Sequence, residues 1–149
     1  MAIGAGTVLD KKTLKVALDA GASFIVTPVL IEDVTKHCQK SSIPVFPGAF
    51  SPQEIYRAWE CGATMVKVFP AGILGPRYFR EIRGPFNDIE LLACGGVTTD
   101  NLKDYFSNGA AAAAFGASIF RKEWLDAEDF SSIAKAISVF IEAYKACQN

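Results

Sequence analysis

The chain has 149 residues, of which half are hydrophobic and about a fifth are charged, and its formal net charge at pH 7 is −1. This balanced charge leaves no basic face for a nucleic acid and no polybasic run for a membrane surface, so neither partner is expected. The longest apolar stretches have the length of strands, well below the roughly 20 residues of a membrane span.

The cysteine and histidine content argues against a metal site. The four cysteines are far apart in the sequence, and His37 is the single histidine. Zinc sites need clustered ligands, so no metal is expected. No cofactor is predicted either. His37 lies in a polar, helix-like stretch and is predicted to be a solvated surface residue. The opening residues MAIGAGTVLD lack the basic and apolar regions of a secretory signal, so we expect free thiols in the cytoplasm.

Short β-rich runs recur along the chain and begin roughly 20 to 25 residues apart, the length of one strand, one helix and two loops. These runs are 2–8, 23–28, 43–48, 64–70, 89–96 and 111–117. Helical patterns between and after them cover 10–21, 51–62, 98–109 and 129–146. Alternating helices and nearly continuous apolar strands predict a parallel sheet covered by helices.

Capping residues mark where the predicted helices begin and end. Helix 51–62 has Ser51 as N-cap, Pro52 at the first helical position and Glu54 completing a capping box. The other boundary signals are Asp10 and Gly21 for the first helix, Gly62 for the second, and Thr98 or Thr99 and Gly109 for the third.

Two architectures are compatible with this pattern: an open doubly wound sheet and a (β/α)₈ TIM barrel. The G-x-G-x-x-G turn that usually follows the first strand of an open sheet is absent from the sequence. The strands end instead in glycines, prolines and small polar residues, such as FPAG at 69–72 and CGGVT at 94–98, as the active face of a barrel requires. A barrel has eight strands and we predict six, so we expect residues 1–149 to form one domain, an incomplete barrel of about six parallel strands.

Lys67 interrupts an otherwise apolar strand. Met65 and Phe69 share its face, while Val66 and Val68 occupy the other. A snorkelling edge lysine or a paired structural lysine is the alternative. A central strand favours a different role, because burial there disfavours the ammonium and lowers the lysine pKa. A neutral amine adds to carbonyls, so Lys67 is predicted to form a Schiff base.

Two glycine-containing turns follow the last two predicted strands. Gly95 and Gly96 lie between a strand and a helix, where backbone N–H groups can approach an anion. Gly116 and Ser118 follow the next strand, and the loops after the last two strands of a barrel commonly bind phosphate. The four residues are predicted to form one phosphate site. The alternative is that the glycines only make tight turns.

Other candidate residues also lie at predicted strand ends. Thr7 is placed to bind a carboxylate through its hydroxyl, although it is also an ordinary strand residue. Pro28 shapes the entry of its loop. Cys94 is expected to be a small packed residue and not a nucleophile, because no histidine is near it in the sequence.

Seven segments in order resemble the class I aldolases that cleave 2-keto-3-deoxy-6-phosphogluconate (KDPG) and 4-hydroxy-2-oxoglutarate (KHG). They are IGAGTVLD, FIVTP, IPVFPGAFSPQEI, VKVFPA, RGPF, CGGV and GASIF, and they run from residue 3 to about residue 121. The resemblance implies a (β/α)₈ barrel, a homotrimer, and aldol cleavage of a 2-keto acid to pyruvate and an aldehyde without a metal.

The resemblance also implies roles for single residues. Lys67 falls on the Schiff-base lysine, and Phe69 falls on the phenylalanine that borders the substrate. The remaining matches are Thr7, Pro28 and Cys94 on substrate-binding positions, and Gly95, Gly96 and Ser118 at the phosphate end.

The chain departs from the family pattern at several places. Gly72 replaces an acidic residue, Val29 a turn glycine, and Cys94 a threonine, which removes one hydroxyl contact. Family members have two further βα units before GAGT, which carry a glutamate acid/base and an arginine. We therefore expect a truncated product, a fragment or part of a split barrel, with impaired aldol cleavage.

Two other functions stay open on the sequence alone. One is a non-catalytic remnant that binds a sugar phosphate, and the other is a barrel fragment that needs a partner chain. An open barrel exposes strand edges and apolar surface, so association into oligomers is expected.

Overall fold

The computed structural model describes residues 2–116 and 118–147. Its strands are β1 (Ala5–Gly6), β2 (Ile25–Val26), β3 (Val45–Phe46), β4 (Gly48–Ala49), β5 (Val66–Val68), β6 (Leu91–Cys94) and β7 (Ala112–Ala114). Its helices are α1 (Lys11–Asp19), α2 (Glu32–Lys40), α3 (Pro52–Glu60), α4 (Ala71–Leu74), α5 (Pro76–Arg83), α6 (Leu102–Ser107), α7 (Lys122–Asp126) and α8 (Phe130–Cys147).

All strand pairs are parallel and follow chain order, as β1-β2-β3 and β4-β5-β6-β7. β3 and β4 are two halves of one predicted strand, separated by Pro47. β3 pairs with β2 and β4 pairs with β5, and the N–H of Lys67 donates to the Pro47 carbonyl at 2.9 Å. Proline removes one donor and interrupts the ladder here. Six strand positions therefore carry the sheet, as the sequence predicts.

The sheet does not close on itself within the described residues. There, β1 pairs with β2 alone and β7 pairs with β6 alone. This arrangement of successive parallel strands with helices between them is the incomplete barrel that the sequence predicts.

Capping explains why α1 and α3 begin where they do. Asp10 accepts a hydrogen bond from the N–H of Thr13, and Ser51 accepts one from the N–H of Glu54, each within a capping box. Pro52 occupies the first turn of α3. These two predicted starts are confirmed, and such caps each contribute about 1 kcal/mol.

α6 begins later than predicted. Its N-cap is Asn101, not Thr98 or Thr99. The N–H of Thr98 instead donates to Oδ1 of Asn101 at 2.8 Å, so residues 98–101 form a loop and not the first helical turn. Gly109 follows the end of this helix at a φ of 98°, as its predicted role as a stop requires.

Three helices were not among those predicted: α4, α5 and α7. α2 confirms the helix predicted around His37, although no residue bounds were predicted for it. α2 has no side-chain N-cap, because Ile31 precedes it. α5 does carry signals, since Pro76 is at its start and Gly75 before it has a φ of 74°. α4 and α7 are too short for their periodicity to be read from the sequence.

The core lies between the outer faces of the strands and the helices. One cluster is built on β4 to β7 with α3, α5 and α6, and includes Val66, Val68, Leu91, Phe79 and Tyr105. A second, built on β1 to β3 with α1 and α2, consists of Val8, Leu14, Ile25, Val34, Cys38 and Val45. A third lies beneath α8, formed by Ile119, Ile133 and Phe140. Each fully buried aliphatic side chain stabilises the fold by roughly 1.5–3 kcal/mol.

Among the helices in residues 2–116 and 118–147, none is long and apolar enough to cross a lipid bilayer. Over the same part of the chain, no group of three or more His, Cys, Asp or Glu side chains is arranged to hold a metal ion.

Candidate active site

Lys67 lies at the centre of β5, between β4 and β6. It is level with Gly48 on one neighbour and with Leu92 on the other. Val66 and Val68 are fully buried on the helix-covered face, while Lys67 on the opposite face is half-buried. The predicted central strand is confirmed, and Lys67 is partly buried on it. The face that carries Lys67 would line the inside of a barrel, and the described residues do not cover it.

Phe69 forms one wall around the Lys67 amine. The Nζ atom lies 4.6 Å from the centre of the Phe69 ring, in cation–π geometry. The ring itself is 39% exposed, and a Cβ built on Gly95 would lie 3.2 Å from its edge. The aromatic ring therefore connects the lysine to the first glycine of the turn after β6.

The glycine turn after β6 packs directly on the loop after β5. Gly95 and Gly96 have φ angles of 84° and 79°, which favour glycine strongly. The N–H of Gly72 donates to the Gly95 carbonyl at 2.7 Å. A Cβ on Gly96 would lie 2.9 Å from Cα of Gly72. A Cβ on Gly72 would in turn lie 3.1 Å from Cα of Gly96, so glycine at both positions suits this close approach of the two backbones.

The two turns that are predicted to bind phosphate follow neighbouring strands, and they therefore lie side by side. Cys94 at the end of β6 is level with Ala114 at the end of β7. Gly95 follows the first and Gly116 lies two residues beyond the second, so both turns emerge at the same rim. The Gly116 carbonyl accepts from the N–H groups of Ile119 and Phe120 at 2.9 and 2.8 Å. Ser118 is half-buried in that turn, whereas Ala117 lies outside the described residues.

Thr7 and Pro28 lie past the C-terminal ends of β1 and β2, at the same rim. Thr7 is exposed and has a φ of 59°, a strained value for a β-branched residue. Thr27 is fully buried, and its hydroxyl donates to the Val29 carbonyl at 2.6 Å, which fixes the loop around Pro28. Gly48 packs under this loop, since a Cβ there would overlap the Pro28 carbonyl.

Cys94 and the other thiols do not form disulfides. Cys94 is half-buried at the end of β6, and all four cysteines are free. Burial raises the pKa of the Cys38 and Cys61 thiols, which makes both poor nucleophiles. His37 is exposed on α2, as the sequence predicts.

A cavity of about 200 Å³ lies beside the C-terminal end of β5, and it is lined by residues that include Pro28, Phe69 and Glu54. Glu54 accepts hydrogen bonds from the N–H groups of Ser51 and Phe50, and these bonds lower its pKa. Glu54 is therefore a cap and a poor proton donor. A larger cavity of about 290 Å³ shares no residue with this site and lies between α6, β7 and α8.

Several residues around the site were not singled out from the sequence. Asn101 links the glycine turn to α6 through its side-chain amide, Gly48 permits the close approach of the Pro28 loop, and Glu54 lines a cavity. The capping pattern at 51–54 and the glycine at 48 were visible signals. Nothing in the spacing of Asn101 distinguishes it from an ordinary helix cap.

The fold and the site together define a class. Parallel strands in chain order bring a strand lysine, a threonine, a proline loop and two glycine turns to one rim, which is the arrangement of a TIM-barrel enzyme. The sequence profile of the KDPG and KHG aldolases matches residues 1–136. The chain therefore belongs to the KDPG and KHG aldolase family.

Curated relatives agree with this assignment. The 2-dehydro-3-deoxy-phosphogluconate aldolase of Pseudomonas aeruginosa is 35% identical over 143 residues, covering 95% of this chain and 65% of the relative. The 2-dehydro-3-deoxy-6-phosphogalactonate aldolase of Escherichia coli K12 is 31% identical over 144 residues, covering 96% and 68%. The chain thus spans about two thirds of the length of these relatives.

Solved structures share the fold. A native KDPGal structure superposes with a TM-score of 0.90 at 31% identity, over 97% of this chain and 69% of its own. The KDPG aldolase of Legionella pneumophila, with pyruvate captured at low pH as a covalent carbinolamine intermediate, superposes with a TM-score of 0.82 at 27% identity, over 95% and 68%.

Proposed function

We propose that this chain is a class I aldolase domain whose Lys67 forms a Schiff base with a pyruvate-like 2-keto acid. One observation carries the proposal: Lys67 is on a central strand, whereas every other lysine lies on a helix. The amine opens toward the rim where the glycine turns lie, with Phe69 between them. The covalent carbinolamine in the Legionella pneumophila relative supports the same chemistry here.

The proposed reaction begins when Nζ of Lys67 attacks the keto carbon of the substrate. Loss of water from the carbinolamine gives an iminium. A base removes the proton of the hydroxyl on the carbon beyond the bond to be broken. That C–C bond then breaks, an aldehyde leaves, and the bonding electrons move to the iminium nitrogen to form an enamine. Protonation and hydrolysis of the enamine release pyruvate and restore Lys67.

The other predicted residues are assigned by where they lie around the amine. Phe69 confines the keto group, and Thr7 and Pro28 are proposed for the carboxylate side. Cys94 is proposed to contact the middle of the substrate. The phosphate end is assigned to the two turns at the ends of β6 and β7, with Gly95, Gly96, Gly116 and Ser118. Their common rim supports this assignment, and the substrate is a 2-keto acid, preferably phosphorylated.

We further propose that the 149-residue chain by itself forms the imine but completes aldol cleavage slowly. Within residues 2–116 and 118–147, Lys67 makes no ion pair with a carboxylate. Glu54, which lines the neighbouring cavity, is held as an acceptor by backbone N–H groups. A positioned acid/base group is worth about 10²–10⁴ in rate.

Borohydride trapping tests the Schiff base. The chain is incubated with pyruvate, reduced with borohydride, and digested for mass spectrometry. We expect the reduced pyruvyl adduct on the peptide that contains Lys67. Lys67→Arg should abolish it, while Lys36→Arg, at a surface lysine paired with Glu32, should leave it unchanged. An unmodified Lys67 peptide in the wild-type chain contradicts the proposal, and aldol turnover at a rate typical of aldolases contradicts the impairment.

A second candidate function rests on the outer edges of β1 and β7, which pair with no further strand within residues 2–116 and 118–147. A strand edge with free N–H and C=O groups accepts another strand, so the chain is suited to complete a barrel with a partner segment. Exposed apolar side chains on and near α8, among them Phe130, Val139 and Ile141, support association. Co-expression with the first βα units of a relative tests it: a stable complex with aldol activity favours this candidate, and two independent soluble chains argue against it.

Three further properties are proposed on the same grounds. The first is that the chain forms a homo-oligomer, with the trimer as the expected form. One structurally similar protein, a cage designed by fusing symmetric oligomeric domains, supports this. Four free thiols agree with the cytoplasm. A single domain over residues 1–149 agrees with the family match over residues 1–136. If the imine does not form, a non-catalytic sugar-phosphate binder remains, supported by the glycine turns.

A further inference from the structure

We infer that Asn101 is a positioning residue for the phosphate end of the substrate. The inference rests on the proposed role of the glycine turn. Asn101 does not reach the rim itself. It acts by fixing the direction in which the backbone N–H groups of the turn point.

The side-chain amide of Asn101 uses both of its ends on this turn. Its Nδ2 group donates to the Gly96 carbonyl at 2.9 Å, and its Oδ1 accepts from the N–H of Thr98 at 2.8 Å. The Thr98 hydroxyl in turn accepts from the N–H of Asn101 at 3.4 Å. The amide group therefore holds the turn at two points that flank Val97, which is buried in the core.

Holding a carbonyl sets the direction of the N–H that follows it. A trans peptide is planar, and its N–H points opposite to its C=O. The Gly96 carbonyl is held by Asn101, so the N–H of Val97 points to the opposite side. The Gly95 carbonyl is held by the N–H of Gly72 at 2.7 Å, so the N–H of Gly96 also points away from its anchor.

These N–H groups have no other partner in the part of the chain that the structure describes. There, the N–H groups of Gly95, Gly96 and Val97 donate to no backbone or side-chain acceptor. Three successive free donors in a glycine-rich turn are what an anion requires. Without Asn101, glycine residues at positive φ would leave the turn free to rotate, and the direction of the Val97 N–H would no longer be fixed.

The inference is tested with inorganic phosphate as the probe. The N–H resonances of Gly95 and Gly96 are followed by NMR during a phosphate titration of the wild-type chain and its variants. Asn101→Ala removes both contacts. The Asn101 side chain makes no capping hydrogen bond to α6, and serine is itself a favoured residue at this position. Asn101→Ser is too short to hold both Gly96 and Thr98, so it removes the turn contacts while leaving the start of the helix a suitable residue. Asn108→Ala is the matched control, because Asn108 bonds only its own helix end, at the Asp104 carbonyl.

We expect Asn101→Ala and Asn101→Ser to weaken phosphate binding about tenfold or more, and Asn108→Ala to leave it unchanged. Borohydride trapping of pyruvate at Lys67 is the separate readout of the Schiff base, and Asn108→Ala should leave it within about twofold of the wild type. If Asn101→Ser binds phosphate as the wild type does, or the wild type shows no binding at these amides, the inference is overturned. Failure to trap pyruvate in the wild type counts against the Schiff-base proposal instead, so the two failures are distinguishable.

Discussion

The amine of Lys67 lies over the ring of Phe69, with Nζ 4.6 Å from the ring centre. The ring in turn packs against Gly95, so one aromatic side chain separates the amine from the glycine turn. This contact locates the candidate Schiff-base lysine with respect to the candidate phosphate site more directly than any strand register does.

Replacing Phe69 with leucine should slow imine formation about two- to fivefold, because the cation–π contact that orients the amine is lost. The free energy of unfolding should change little, since the ring is already 39% exposed. The rate at which the borohydride-reduced pyruvate adduct accumulates on Lys67 measures this change in imine formation. Phe130→Leu, at an exposed phenylalanine on α8 outside the site, is the control. Equal trapping rates for the Phe69→Leu and wild-type chains would show that the ring does not orient the amine.

Gly96→Ala should lower the free energy of unfolding by about 1–3 kcal/mol. Its φ of 79° disfavours a side chain, and the new Cβ would lie 2.9 Å from Cα of Gly72. Urea unfolding followed by circular dichroism measures the loss. Gly6→Ala provides the comparison, because a Cβ at Gly6 meets no atom within 4 Å. If both variants unfold at the same urea concentration, the close approach of the two loops is not a constraint.

Thr7→Gly should make the chain more stable and a poorer aldolase. Glycine relieves the strain of a φ of 59°, for a gain of about 0.5–1 kcal/mol, but it removes the hydroxyl that we propose for the substrate carboxylate. Thermal unfolding and pyruvate trapping measure the two effects. Ser42→Gly, at a φ of 55° outside the site, should gain stability without changing the trapping. Undiminished trapping in Thr7→Gly would remove Thr7 from the site.

Glu54→Gln should change how stability depends on pH. Backbone N–H groups of Ser51 and Phe50 donate hydrogen bonds to the Glu54 carboxylate and hold its pKa below the ordinary value of a glutamate. A group whose pKa is lowered on folding contributes stability above its unfolded pKa, and loses it as pH falls through the folded pKa. The free energy of unfolding of the wild type should therefore exceed that of Glu54→Gln most at pH 7, and the two values should approach each other near pH 3.

Chemical unfolding at both pH values measures this difference. Glu60→Gln, at an exposed glutamate at the end of the same helix, should follow the wild type at each pH. If the difference in the free energy of unfolding between the wild type and Glu54→Gln is the same at pH 7 and near pH 3, the carboxylate charge contributes nothing to stability.

The sequence predicts those features that depend on local signals. The six strand positions follow from apolar runs, and the starts of α1 and α3 follow from Asp10 and Ser51, whose capping geometry is set within four residues. The break between β3 and β4 at Pro47 is equally local, although the apolar run 43–48 predicted a single strand there.

Features that depend on tertiary contacts were not predictable in the same way. The degree to which Lys67 is buried is one such feature, because an apolar strand pattern does not reveal which face is left uncovered. The contact between Gly72 and Gly96 joins two loops from different strands. Asparagine is a residue type that commonly caps helices, and only the fold shows that the Asn101 amide holds the turn at Gly96, five residues earlier.

Pro47 divides the sheet at the same place where the hydrophobic clusters divide. The cluster that ends with Val45 precedes it, and the cluster that begins with Ala49 follows it. The contacts that cross this boundary include the hydrogen bonds between Val45 and Thr64, the Glu32–Arg57 ion pair and the packing of Gly48 under the Pro28 loop. Native-state hydrogen exchange should therefore reveal two cooperative units, with the amides of β1 to β3 opening at a lower free energy than those of β5 and β6. Such a division would let the rim that carries Thr7 and Pro28 fluctuate while the lysine strand and its glycine turn stay protected.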